Sequence, residues 1–126
     1  MSIPTVHNIS DIPAYEGPHA IPGIRFRAAR TALGVSSWGM NVLDLDPNCE
    51  GHPEHNHEHD GQEEVYVVMS GAVRLVVDGE ALELHAGDMV RVSPQSTRKL
   101  VTTDSAVSIL AMGGTPGAAF TVTPGV

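Results

Sequence analysis

Residues 51–84 read GHPEHNHEHDGQEEVYVVMSGAVRLVVDGEALEL. The second half of this stretch sets the fold class. Two strand-like runs, 73–77 and 80–84, flank Asp78-Gly79. Asp-Gly between such runs is the sequence of a two-residue type I′ turn, whose central residues both need positive φ. The spacing predicts an antiparallel hairpin over 73–84. Outward from it the same grain repeats, with strand-like runs at 24–30, 38–45, 64–69, 89–92, 99–102, 107–112 and 120–122. Turn clusters separate them, among them Ser70-Gly71, His85-Ala86-Gly87-Asp88 and Ser93-Pro94-Gln95-Ser96. Strands that recur roughly every 8–12 residues imply a β-sandwich or barrel, an all-β fold. No stretch carries a capped helical period. Residues 1–22 hold Pro4, Pro13, Pro18 and Pro22. They read as an extended arm, able to lie across a neighbouring subunit, ahead of a single barrel domain at 23–126.

The 126 residues suit one domain. Hydrophobic residues make up 41% and aromatics only 4%, so the core is expected to be aliphatic. Charged residues, at 17%, are too few for a disordered chain or a coiled coil. Fifteen acids against seven bases give a net charge of −8. Such a surface repels phosphate backbones and anionic lipids, so neither nucleic acid nor a membrane is an expected partner. No apolar run is long enough to span a bilayer, and the N-terminus has no basic region followed by an apolar one. Cys49 is the single cysteine and can form no intrachain disulfide, which fits a cytoplasmic protein.

The first half of the stretch carries the chemistry. Four of the seven histidines fall within eight residues, and His55, His57 and His59 are spaced by two. On an extended strand these three would share a face. Imidazoles so placed can offer nitrogens to one divalent cation, and a carboxylate from the next strand can complete the set. Glu64 opens the run Glu64-Val65-Tyr66-Val67-Val68, which puts Glu64, Tyr66 and Val68 on one face. Turned into a barrel, Glu64 would be a buried carboxylate in need of a charge partner. The plainer alternative is a solvated loop, since 50–64 also holds six of the fifteen acids.

These residues resemble the first motif of the cupin superfamily, G-x5-H-x-H-x(3,4)-E-x6-G. Gly51, His57, His59, Glu64 and Gly71 stand at its fixed positions. The second motif, G-x5-P-x-G-x2-H-x3-N, is degenerate. Gly87 is in place, Pro94 comes one residue late, Arg98 stands where the histidine belongs and Thr102 where the asparagine does. The resemblance spans about residues 40–113. It implies a conical β-barrel of two antiparallel sheets in a jelly roll, often a homodimer. It also implies a divalent transition metal (iron, manganese, zinc or nickel) held inside by two histidines and a glutamate. Arg98 cannot replace the fourth ligand as a protonated side chain, so open positions would remain.

Two ligand registers stay open. Motif spacing gives His57, His59 and Glu64. The other uses His55 and His57, with Asp60-Gly61 making a bend. Gln62 has the parity of Glu64 and is a candidate neutral oxygen ligand. Arg98 is a candidate anchor for a substrate carboxylate, or a direct partner for Glu64 in a metal-free barrel. Tyr66 could hydrogen-bond a ligand. The resulting expectation is a metal-dependent oxygenase, isomerase or lyase acting on a small anionic or oxygen-rich molecule. The alternative is a non-enzymatic module that binds a metabolite or metal and reports it.

Overall fold

The computed structural model describes residues 3–118. Within them lie seven antiparallel strands: β1 (Ile24–Arg27), β2 (Gly39–Leu45), β3 (Glu63–Val77), β4 (Glu80–His85), β5 (Met89–Val92), β6 (Arg98–Val101) and β7 (Val107–Gly114). The run expected at 120–122 lies outside the described residues.

The long strand β3 is shared by two sheets. Its first half pairs with β7 on one side and β5 on the other, and β7 continues to β2 and β1. Its second half pairs with β4 and β6. The inner faces meet in a core headed by Leu45, Val68, Leu75, Leu100 and Ile109. The core is aliphatic, as a chain with so few aromatics requires, and the all-β barrel read from the sequence is the fold observed. The hairpin forms as its turn dictates: Asp78 and Gly79 have φ of 48° and 85°, and Val77 faces Glu80.

Two local readings need correction. Ser70-Gly71 is not a turn between strands. β3 runs through it, with a register shift between Val68 and Ser70 and Gly71 at φ 77°. The bulge bends the strand and passes it from one sheet to the other. A Cβ at position 71 would sit 1.9 Å from the Ala106 carbonyl oxygen, so backbone conformation and space both demand glycine. Strand β1 also stops at Arg27 rather than running to residue 30. Ala29–Leu33 forms one short helix, α1, closed by Gly34 at φ 78°, whose N–H bonds the Arg30 and Thr31 carbonyls. Alanine, arginine and leucine favour helix, but five residues are too few to display a period.

The arm folds back on its own barrel at residues 12–15. Ile12 is buried, the Tyr15 N–H donates to the Phe26 carbonyl (2.8 Å), and Arg27 Nη1 donates to the Ile12 carbonyl (2.6 Å). The segment from residue 46 to residue 62 is laced to β6 and the turn beyond it. Thr102 Oγ1 accepts from the Cys49 N–H at 2.8 Å, and His52 Nδ1 accepts from the buried Leu100 N–H at 3.1 Å. His55 and Arg98 exchange both backbone hydrogen bonds (3.1 and 2.9 Å).

Two predictions follow from these contacts. Gly71→Ala should lower stability by about 3 kcal/mol in urea unfolding, because strain and collision act together. Gly79→Ala has open space around it and should cost only about 1 kcal/mol. The second concerns His52, whose pKa is lowered to about 4, by burial first and then by His55, Lys99 and Arg98 against the opposing pull of Glu64. The folded chain keeps this ring neutral while the unfolded chain protonates it below its ordinary value of 6.5. Its contribution is therefore complete above pH 6.5 and falls away down to about pH 4, a loss on the order of 3 kcal/mol. His52→Asn keeps an acceptor for Leu100 but has no proton to take up. With a chelator present, unfolding curves between pH 7.5 and 4.5 should converge for the two chains; parallel curves would refute the assignment.

Candidate metal centre

The residues between β2 and β3 form the inner wall of the site. The bridge to Arg98 holds His55, and the His57 N–H donates to the Pro94 carbonyl at 2.9 Å. The chain then turns: the Gly61 N–H returns to the His57 carbonyl at 2.7 Å, with Gly61 at φ 70°. This turn breaks the alternation that would have put His59 on the face of His57. His59 is 55% exposed by side chain, whereas His57 is 2%. Glu64 enters on β3, with Tyr66 two residues on and on the same inner face.

His55, His57 and Glu64 converge, their nearest ligand atoms all within 4.8 Å of one another. Glu64 Oε1 lies 3.4 Å from His57 Nε2 and 3.8 Å from His55 Nε2. The opposite ring nitrogens are engaged elsewhere. His55 Nδ1 donates to the Pro53 carbonyl at 2.9 Å. His57 Nδ1 donates to the Asp60 carboxylate at 3.1 and 3.2 Å. Each ring thereby carries its proton on Nδ1 and turns the Nε2 lone pair toward Glu64. Both Nε2 atoms are buried and, among the described residues, have no hydrogen-bond partner. Two such lone pairs beside a carboxylate suit a divalent cation, and among the described residues neither has a protein donor.

Burial works to raise the Glu64 pKa, yet His55, His57 and Arg98 outweigh it and hold the carboxyl well below the usual range. The nearby Glu64 carboxylate raises the pKa of His57 against burial, and Asp60 adds to the rise. Burial and the Glu64 charge push Tyr66 well above the ordinary phenol value. Tyr66 thus stays a phenol and donates its hydroxyl to Glu64 Oε1 at 3.0 Å.

Arg98 is fully buried, with Nε 3.6 Å from Glu64 Oε1 and Nη2 donating to the Ser93 carbonyl at 3.3 Å. Among the described residues it does not line the adjoining cavity. Its charge reaches that space through Glu64. Gln62 is buried on the cavity wall and donates both its backbone N–H (3.1 Å) and its amide (3.0 Å) to Asp60. A second grouping, His57, His59 and Asp60, also brings three ligand atoms together. It sits at the exposed edge and reuses His57.

Sequence reasoning left three contributors unassigned. Asp60 orients His57, and its place three residues on, within the turn, was the available signal. His52 shares the cavity wall, with its ring centroid 5.6 Å from that of His55. The arm and α1 supply cavity residues that only tertiary folding brings near. The cavity is about 360 Å³, and its wall runs from the histidines to Ile21, Phe26 and Leu43.

No curated protein matches the chain. Solved structures do. The polyketide cyclase RemF from Streptomyces resistomycificus aligns with a TM-score of 0.72 at 22% identity, over 97% of this chain and 87% of that one. A predicted oxalate decarboxylase from Thermotoga maritima gives 0.71 at 18%, over 87% and 98%. A sugar phosphate isomerase from Silicibacter pomeroyi gives 0.65 at 25%, over 77% of this chain and 62% of that one. These likenesses establish the fold and span neighbours of differing chemistry. The cupin-domain family profile matches residues 41–113, more than half the chain. The match runs from β2 through the histidine segment and the bent strand to the end of β7, and on that ground the chain belongs to the cupin family.

Proposed function

We propose that this chain is a metal-dependent enzyme acting on a small anionic or oxygen-rich organic molecule. The observation that carries the proposal is the pair of buried, unpartnered Nε2 lone pairs facing Glu64 at one end of a cavity. His55, His57 and Glu64 would hold the cation. Two imidazoles and a carboxylate suit iron, manganese, zinc or nickel. The metal would supply Lewis-acid polarisation, or oxygen chemistry if it is iron. Pro53 and Asp60 orient the two rings. Tyr66 and Arg98 act as positioning residues that fix and neutralise the Glu64 carboxylate. Gln62 is a candidate fourth oxygen ligand, and His59 serves Asp60 at the rim.

Charge supports the anionic preference. Glu64 and Arg98 cancel, and Asp60 offsets one charge of a divalent cation. One positive charge is left in a buried space, and an anionic ligand balances it. His57→Ala should reduce bound metal from about one per chain to below about a tenth, with loss of turnover; stoichiometric metal in that variant would refute the proposal. Metal-replete chain that stays inert across oxidase, isomerase and lyase substrates would instead favour a module that binds and reports a metabolite.

We further propose a homodimer in the cytoplasm. Part of the outer face of the larger sheet is an apolar strip: Val65 faces Met112 and Val67 faces Leu110 across the β3–β7 ladder, with the Arg91–Glu63 ion pair at its margin. Met89, opposite Val67, is 73% exposed. An apolar strip of this kind marks an association surface. Met89→Glu should convert dimers to monomers in light scattering without changing thermal unfolding by more than a few degrees; a monomeric parent chain would overturn the assignment.

A further inference from the structure

We infer that the cavity takes a ligand with a flat apolar body and an anionic, oxygen-bearing head, of the aromatic hydroxy-acid class rather than the polyhydroxylated sugars. The inference rests on the reading above and narrows it to a substrate class.

The head end is compact and polar, made by His52, His55, His57, Gln62 and Glu64. Beyond it the wall is Ile21, Ile24, Phe26, Leu43 and Ala111, with Asn41 as the polar exception on β2. Polar side chains return on the arm and on α1, where Tyr15, His19 and Thr31 are exposed and Arg30 donates to the Val35 carbonyl at 3.2 Å. A polyol against the middle of this wall gives up water without regaining partners, at a cost of roughly tenfold in affinity per stranded hydroxyl. A ring system gains by burying its faces there. A cavity of about 360 Å³ lies at the small end of the ordinary range for organic ligands, roughly 300–1,000 Å³, and suits two fused rings.

His52 gives the head a second contact. The Leu100 N–H donates to its Nδ1, so the neutral ring carries its proton on Nε2. This wall therefore offers a hydrogen-bond donor beside the two lone pairs of His55 and His57. A head with two adjacent oxygens would place one at the cation and one at His52. Ile21 belongs to the arm, so the arm completes the apolar wall.

The test uses full-length chain loaded with nickel and freed of excess ion, together with metal-free chain. The probes are 3-hydroxy-2-naphthoate and D-gluconate, two hydroxy-acids that differ in body, with affinities read by calorimetry. Naphthoate should bind roughly tenfold or more tighter than gluconate to loaded chain, and should still be preferred, more weakly, by metal-free chain. Ile21→Asn should weaken naphthoate about fivefold and leave gluconate and nickel content unchanged. His52→Asn, which retains the bond to Leu100, should weaken both probes about fivefold. Equal or tighter binding of gluconate would overturn this inference while the metal reading stands. Failure to retain nickel would overturn the metal reading, with the preference of metal-free chain still deciding the apolar one. Unchanged affinities in His52→Asn would remove the donor role.

Discussion

A buried carboxylate governs the interior of this barrel. Four groups face one oxygen of Glu64: the Tyr66 hydroxyl at 3.0 Å, His57 at 3.4 Å, Arg98 at 3.6 Å and His55 at 3.8 Å. Of these four, the tyrosine makes the hydrogen bond of ordinary length. Arg98 holds the carboxylate as an anion by its charge, and the two imidazoles stand close without closing the space among them. An ionised carboxylate removed from water is costly unless such compensation exists. Here the compensation is enough to keep the acid ionised, yet it stops short of saturating its lone pairs. That combination suits the ligand role proposed for Glu64 better than that of an ordinary buried ion pair.

The placement of Glu64 depends on the course of β3. Glu64 and Tyr66 must face inward from the first half of the strand, and Val73 and Leu75 from the second. An unbroken straight strand could line only one sheet. The slip at Val68/Ser70 and the left-handed Gly71 turn the strand so that both halves present an inner face. The glycine that ends the first motif is thus the residue that lets one strand belong to two sheets. Arg98, arriving on β6, then meets Glu64 from behind. A guanidinium cannot coordinate a metal, and this one is also tied to the Ser93 carbonyl. Arginine at this position exchanges a possible ligand for charge balance, and a cation held as proposed would keep positions open on the cavity side.

Features decided by neighbours along the chain were legible in the sequence. Asp78-Gly79 announced its hairpin, and strand parity set Glu64 and Tyr66 on a common face. The same local rules misread Ser70-Gly71, because a turn dipeptide and a bulge differ only in whether the flanking strands stay in register with a third. They missed α1, whose five residues are fixed by packing on β2 and by Gly34. For the histidines, spacing alone allowed two sets. The turn at Asp60-Gly61 brings His55 and His57 to Glu64 and sends His59 outward, and it depends on backbone bonds to Pro94 and Arg98 far along the chain. Ile21 and Phe26 reach the cavity through the folding back of the arm and β1, which no local pattern encodes.

The three inward histidines are chemically identical in the sequence and distinct in the fold. At His55 a backbone carbonyl accepts from Nδ1, and at His57 a carboxylate does so. At His52 a backbone N–H donates to Nδ1 instead. The first two rings must show lone pairs at Nε2 and the third must show a proton. The difference follows from one further fact: the segment carrying them is laced to β6, which supplies Leu100 as donor at one point and Arg98 as backbone partner at the next. Lone-pair and donor capacity within six residues are thus divided by which group each ring meets at Nδ1. A segment free of β6 would lose the Leu100 donor that fixes His52 and the Arg98 bridge that seats His55, and the asymmetry of the cavity wall would not survive.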